Sequence, residues 1–390
     1  MRSPLRWVLV LLAVSAALLA VRFVARPYVR ATSLIVRTAG LEKAHPTLAA
    51  LQTNAIVERK ASVPSRFGEL RAHIYSPTNG FERAVLLTPG VNALGIDEPR
   101  LVNFARQLAS TGLLVLTPEL PDLSRYLVTA RSTDMIEDAA LWLSNNHELT
   151  RGGPIGIMGI SFAGGLSVVA AGRPSLRGRL AFVFSFGGHA NFQRVLRYLC
   201  TGEEPAVPAS TALPTPVPHD YGVAILALDL AQHLVPEAQL EPLRRGIQAF
   251  LHASHLALFD TAKAAGEFRT AREMEERLEE PAKTILGLVN RRESAELGRR
   301  LLPHTNALGD EPALSPDQSP APDAPVFLLH GQEDNVVPAA ESLWLAERHR
   351  PHTTVQVLLT PLISHAEVDR PATTREVVDL IGFWTGMLKQ

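Results

Sequence analysis

Ser161 is the side chain most suited to chemistry by its setting. It stands in Met158-Gly159-Ile160-Ser161-Phe162-Ala163-Gly164-Gly165, after the apolar run 154–157 and before the small, apolar stretch 164–171. The first reads as a buried strand and the second as a packed helix. A sharp strand-to-helix turn strains the residue at its apex and demands small side chains two positions to either side. Gly159 meets that demand fully and Ala163 meets it with a methyl. A serine hydroxyl becomes a nucleophile when a neighbouring base takes its proton. At such a turn it would project from the C-terminal edge of a sheet, with the Phe162 amide and the helix N-terminus aimed at a developing oxyanion. The competing reading is a tight turn with a structural serine.

Two further segments bear on the choice. The apolar run 324–329 leads into His330-Gly331-Gln332-Glu333-Asp334-Asn335-Val336-Val337-Pro338, and the β-rich run 353–359 is followed by Ile363-Ser364-His365-Ala366-Glu367. A serine turn, an acid segment of the form His-Gly-x-x-Asp-x-x-Val-Pro and a histidine loop, in that order, resemble the α/β-hydrolase superfamily, whose triad runs Ser, acid, His along the chain. The resemblance implies Ser161 as nucleophile, Asp334 as the acid that orients the imidazole, and His365 as general base. It also implies an oxyanion loop after an earlier strand. The run 83–88 followed by Pro89-Gly90-Val91-Asn92-Ala93-Leu94-Gly95 fits, although many relatives carry His-Gly where this chain has Pro89-Gly90. Gly90 would make the close turn. The Val91 amide is the expected second donor beside that of Phe162, with Asn92 as the alternative.

Other groups compete for these roles. His330, at the end of its strand, reads as a packing or locally hydrogen-bonded residue. His189 ends another strand on the same edge and could line the site. Glu333 and Glu367 read as solvated loop charges, and Asp122 is an alternative acid.

Composition narrows the setting. The 390 residues are 46% hydrophobic and carry a formal net charge of −1, which argues against nucleic acid as a partner because no basic face is available. Cys200 is the single cysteine, so intrachain disulfides and paired-cysteine zinc sites are excluded. It reads as a small buried hydrophobe. No metal-ligand spacing stands out, and the implied chemistry needs no cofactor. The chain opens with basic Met1–Arg6 and an unbroken apolar run at 7–21, with Arg22 and Arg26 after it. This shape fits a single-pass membrane anchor that is not cleaved; the alternative is a signal segment whose removal leaves a secreted or periplasmic protein.

The elements that would position the site alternate. Strands are expected at 55–59, 70–75, 84–88, 113–116, 154–158, 180–184, 326–329 and 355–359. Helices are expected at 32–51, 99–110, 133–146, after the serine, at 339–350 and at 374–388. Alternation implies a mainly parallel sheet of eight strands covered by helices on both faces. Residues 189–324 break the pattern, with proline-rich borders and helices at 221–234, 240–258, 261–278 and 282–302, where Asp220 and Asp260 look like N-caps. In the superfamily such an insertion after strand 6 is a helical cap. The expected organisation is therefore an anchor or signal segment (1–31), a hydrolase core in two parts (32–188 and 325–390), and a cap insertion (189–324). The expected activity is carboxylic ester hydrolysis of a small-molecule acyl substrate through an acyl-enzyme. The alternatives are a serine peptidase of prolyl-oligopeptidase-like type and a non-catalytic membrane binding protein.

Overall fold

The computed structural model describes residues 24–203, 207, 213–214, 216–363 and 373–390. Eight strands form one sheet: β1 (Ile56–Ser65), β2 (Gly68–Pro77), β3 (Arg83–Thr88), β4 (Leu113–Pro118), β5 (Ile155–Ile160), β6 (Leu180–Phe186), β7 (Val326–Gly331) and β8 (Val355–Thr360). Their order is β1-β2-β4-β3-β5-β6-β7-β8. β2 runs antiparallel to β1 and β4, and the remaining pairs are parallel. Strands β3, β4 and β7 are almost uninterrupted apolar runs buried on both faces, as a helix-covered parallel sheet requires. β1 is longer than the apolar pattern suggests. Its second half pairs with β2 residue by residue, with Lys60, Ser62 and Pro64 in solvent and only Val63 fully buried, so the hydrogen-bond ladder holds it with little hydrophobic signature.

The helices of eight or more residues are α1 (residues 24–38), α2 (Pro99–Ser110), α3 (Ala130–Asn145), α4 (Phe162–Ala171), α5 (Phe192–Thr201), α6 (Asp220–Asp229), α7 (Glu237–Leu256), α8 (Thr261–Glu276), α9 (Ala282–Asn290), α10 (Ser294–Leu301), α11 (Ala340–His349) and α12 (Thr374–Leu388). One face of the sheet is covered by α1, α2 and α12, where Leu34, Leu108, Phe383 and Trp384 pack on Phe182, Phe184 and Phe327. Trp384 stacks on Phe184 with ring centroids 5.0 Å apart. The opposite face is covered by α3, α4 and α11, and its core continues into the helices between β6 and β7.

The boundary at residue 31 drawn from sequence falls inside α1. That helix buries Ala31, Leu34 and Ile35 and pairs the buried Arg30 with Glu82, so it packs as part of the body. The apolar run 7–21 lies outside the described residues. Among the described residues, no helix is long and apolar enough to cross a membrane.

The insertion between β6 and β7 is helical, with no strand among its described residues. α5 has no counterpart in the sequence reading, and the single expected helix 282–302 is two, broken at residues 291–293. Asp260 caps α8 as expected, accepting from the Lys263 amide at 2.9 Å. At α6 the cap is His219 and Asp220 is the first helical residue. The proline-rich stretch before β7 is not extended: it folds into two 3-10 turns, Pro312–Leu314 and Pro316–Gln318, packed against α4. The insertion also touches the loops after β3, β4 and β7, through Tyr221 on Val91, Asp229 on Val128 and His219 on Asn335.

Candidate active site

The sheet order places the site. After β3 the chain turns to α2 on one face, whereas after β5 it turns to α4 on the other. Adjacent parallel strands whose connections leave in opposite directions open a crevice at their carboxyl ends. Thr88 pairs with Gly159 in the β3–β5 ladder, so the loop from Pro89 and the turn at Ser161 face each other across it. A Cβ built on Gly90 would lie 3.6 Å from the Ser161 Cβ.

Ser161 holds φ 57° and ψ −134°, strongly disfavoured for a residue with a side chain. It is the last residue before α4 and is 6% exposed. The surroundings enforce this conformation: the Ser161 amide donates to the Phe186 carbonyl at 2.7 Å and its carbonyl accepts from the Gly164 amide at 2.7 Å. Gly159 has no room for a side chain, since a Cβ there would come within 2.3 Å of the Ala163 carbonyl oxygen and 2.5 Å of the Ser167 Oγ. Ser167 in turn pairs with Thr88 at 3.0 Å, closing a buried hydroxyl pair behind the turn. Replacing Gly159 with alanine is therefore expected to cost about 1–3 kcal/mol, because backbone atoms must move to admit the methyl. A thermal melt checks this; an unchanged Tm would show that the turn relaxes freely.

A strained serine on a strand-to-helix turn at the switch point of a sheet in this order is decisive. The chain has the α/β-hydrolase fold. No protein-family model and no curated protein matches the sequence. Among solved structures, this chain is similar to an esterase from Pyrobaculum calidifontis, at 16% identity and TM-score 0.47, covering 90% of this chain and 92% of that one. It is similar to a dienelactone hydrolase from Anabaena variabilis at 16% identity and TM-score 0.42, covering 85% and 96%. It is also similar to an acylaminoacyl peptidase from Pyrococcus horikoshii at 14% identity and TM-score 0.45, covering 88% of this chain and 42% of that one. Each likeness is distant, and the fold assignment stands on the strand order and the serine turn.

In this hydrolase fold Asp334 follows β7 and is 1% exposed. Its Oδ1 accepts from the amides of Val336 and Val337, both at 2.9 Å. Its Oδ2 lies 3.4 Å from the His330 Nε2. That nitrogen also faces the Val337 carbonyl oxygen at 2.9 Å, and because both neighbours are acceptors it carries a proton and donates. His330 Nδ1 pairs with the Ser342 Oγ at 2.7 Å. The local bonding expected of His330 is thus found, and it holds the loop after β7. Gly187, at φ +62°, follows β6 beside Asp334, where a Cβ would approach Oδ2 to 3.4 Å.

His365 lies outside the described residues, in the segment that follows β8 and Ile363. His189 is fully buried behind the serine turn: its Nε2 donates to the Leu314 carbonyl at 2.7 Å and its ring packs between Phe162 and Phe192. Burial lowers its pKa to about 4, so it remains a neutral packing group. Asp122 accepts from the Thr129 hydroxyl at 2.6 Å after β4. Cys200 is buried, and burial raises its thiol pKa to about 12, far from a reactive thiolate. Among the described residues, no cluster of three metal-ligating side chains occurs.

Phe162 begins α4, so its amide is one of the first-turn donors without an acceptor inside the helix. Val91 and Asn92 are 9% and 8% exposed. Among the described residues no acceptor receives the backbone N–H of either. Buried amides are nearly always paired, so two such groups in succession beside a strained serine are suited to bind an oxygen from outside the protein. Asn92 has a further partner with no warning in the sequence. Its Nδ2 meets the ring nitrogens of His255 on α7 at 2.8 and 3.3 Å.

Proposed function

We propose that this protein is a serine hydrolase that cleaves carboxylic ester-type bonds of small-molecule substrates through an acyl-enzyme. The observation that carries the reading is Ser161, held at φ 57° at the crevice mouth and faced by a loop with two buried amides that no acceptor among the described residues receives. Ser161 Oγ attacks the carbonyl carbon as His365 takes its proton. The tetrahedral oxyanion accepts from the Phe162 amide and from that of Val91, with Asn92 next in line. His365 then protonates the departing alcohol, and water releases the acid by the same route in reverse. Asp334 fixes the tautomer of His365 and stabilises its charged form. The helical insertion serves as a cap that limits water at the site.

The test is labelling of the full chain with a fluorophosphonate, which phosphonylates activated serines, followed by screening of ester, thioester and peptide substrates. Labelling at Ser161 with ester turnover is the expected result. Peptide turnover without ester turnover would favour a peptidase, and a folded but unlabelled protein would count against the reading. We also propose that the run 7–21 tethers the protein to a membrane. Full-length protein should then stay in the membrane pellet after alkaline carbonate extraction, and its release would remove the tether.

A further inference from the structure

The loop after β3 is held from across the chain, by side chains 130 and 163 residues away in sequence. Tyr221, in the first turn of α6, donates its hydroxyl to the Val91 carbonyl at 3.1 Å. Burial raises the pKa of that phenol well above its usual value, so it remains a donor at any working pH. In a trans peptide the carbonyl and the following N–H point in opposite directions. Pinning the Val91 carbonyl toward α6 therefore turns the Asn92 N–H away from it and keeps it from rotating.

The second hold is at the next residue. Asn92 Oδ1 accepts from the Leu94 amide at 2.7 Å, which settles the orientation of its side-chain amide and makes Nδ2 the group facing His255. Nδ2 can only donate, so one imidazole nitrogen must accept, and only a neutral ring offers an acceptor. Burial lowers the His255 pKa, with Arg100 and His252 acting in the same direction and Glu98 opposing them. The ring is packed edge-on against Phe259. Tyr221 is itself packed edge-on against the ring of Tyr126, whose backbone stands at φ 65°.

We infer that Tyr221 and His255 are positioning residues of the insertion, which fix the loop 89–95 so that its buried amides stand ready for the oxyanion. The inference rests on the serine-hydrolase reading and deepens it. The insertion then does more than cover the crevice. It supplies the two side chains without which the loop can rotate its donors out of place, so that docking of the insertion and competence for acyl transfer are one event. Neither residue touches the reacting atoms; both act through the backbone of Val91 and Asn92.

The test uses the full chain and five proteins: wild type, Tyr221→Phe, His255→Leu, His255→Gln and the double variant Tyr221→Phe with His255→Leu. The readouts are the second-order rate of Ser161 phosphonylation by a fluorophosphonate, kcat and KM on p-nitrophenyl butyrate, and Tm. Tyr221→Phe loses one hydroxyl and keeps its ring. Loss of an oxyanion donor costs about 10²–10³ in rate, so loosening one is expected to lower labelling and kcat on the order of tenfold, with KM little changed. His255→Gln, whose side-chain carbonyl can still accept from Asn92, is expected to recover most of what His255→Leu loses. The double variant Tyr221→Phe with His255→Leu should fall by less than the product of the two single effects, since both loosen one loop. Wild-type rates in both single variants, alongside a labelled wild type, would overturn the positioning role alone. So would a fall in His255→Leu that His255→Gln does not restore while Tyr221→Phe stays at the wild-type rate, since that pattern means packing. An unlabelled wild type would overturn the serine reading and this role with it.

Discussion

Ser161→Ala is expected to lower kcat on ester substrates by about 10⁴–10⁶ while the protein keeps its fold, because the attacking atom is gone. The single thiol of the chain, Cys200, offers no substitute, since it is buried with its pKa pushed up to about 12. The substitution should also leave stability nearly unchanged. The strain at φ 57° is imposed by the turn and not by the hydroxyl, so removing Oγ neither relieves the backbone nor opens a large cavity. Fluorophosphonate labelling should vanish in the same variant. Residual turnover of the alanine variant would reflect only the amides and the enclosed crevice, which stabilise an oxyanion formed by direct attack of water. Turnover within tenfold of wild type, in a variant with an unchanged melt, would remove Ser161 from the mechanism.

Much of the local geometry of the candidate site could be read from residue order, and the reason is physical. A sharp strand-to-helix turn needs small residues at fixed offsets, so Gly159 and Ala163 announce it. Gly159 is required because the Ala163 carbonyl occupies the space of its missing side chain. The segment after β7 is equally local: Asp334 is held by amides two and three residues ahead of it, a contact written into a short stretch of chain. The parallel strands are legible because burial on both faces leaves only apolar residues. Where one face is wet the signal fades, and the second half of β1, from Lys60 to Ser65, escaped on that ground. α5 carries Phe192, Val195, Leu196 and Leu199 at helical spacing behind the N-cap Asn191, yet it lies beside a proline-rich stretch that masks its pattern. What local pattern could not carry is the pairing of Tyr221 with Val91 and of His255 with Asn92. Those contacts join segments with no shared periodicity, and they exist only because the insertion folds back onto the switch point of the sheet.

Asp334→Asn tests the acid with nearly as large an effect. In the proposed mechanism the carboxylate accepts from His365 and stabilises the imidazolium formed when Ser161 gives up its proton. An asparagine at the acid position of such a triad lowers kcat about 10⁴-fold, or roughly 5 kcal/mol of transition-state stabilisation. The surroundings of Asp334 add a second penalty. Oδ1 receives two backbone amides and Oδ2 faces the proton on His330 Nε2, so both oxygens meet donors. An asparagine has one oxygen, and whichever way it turns its NH₂ faces a donor in a buried site. That mismatch is expected to destabilise the protein by about 1–3 kcal/mol. The pH profile separates the catalytic effect from the structural one. A carboxylate beside the base raises the base's pKa, so removing its charge should move the acid limb of kcat to lower pH as the plateau falls. A variant that was only partly unfolded would lose amplitude with the limb in place. Asp122→Asn is the control: Asp122 bonds Thr129 after β4, and its loss should leave both plateau and limb unchanged. If the outcomes were exchanged, with Asp122→Asn inactive and Asp334→Asn active, the acid would belong to the loop after β4, and the segment after β7 would be a structural turn held by His330.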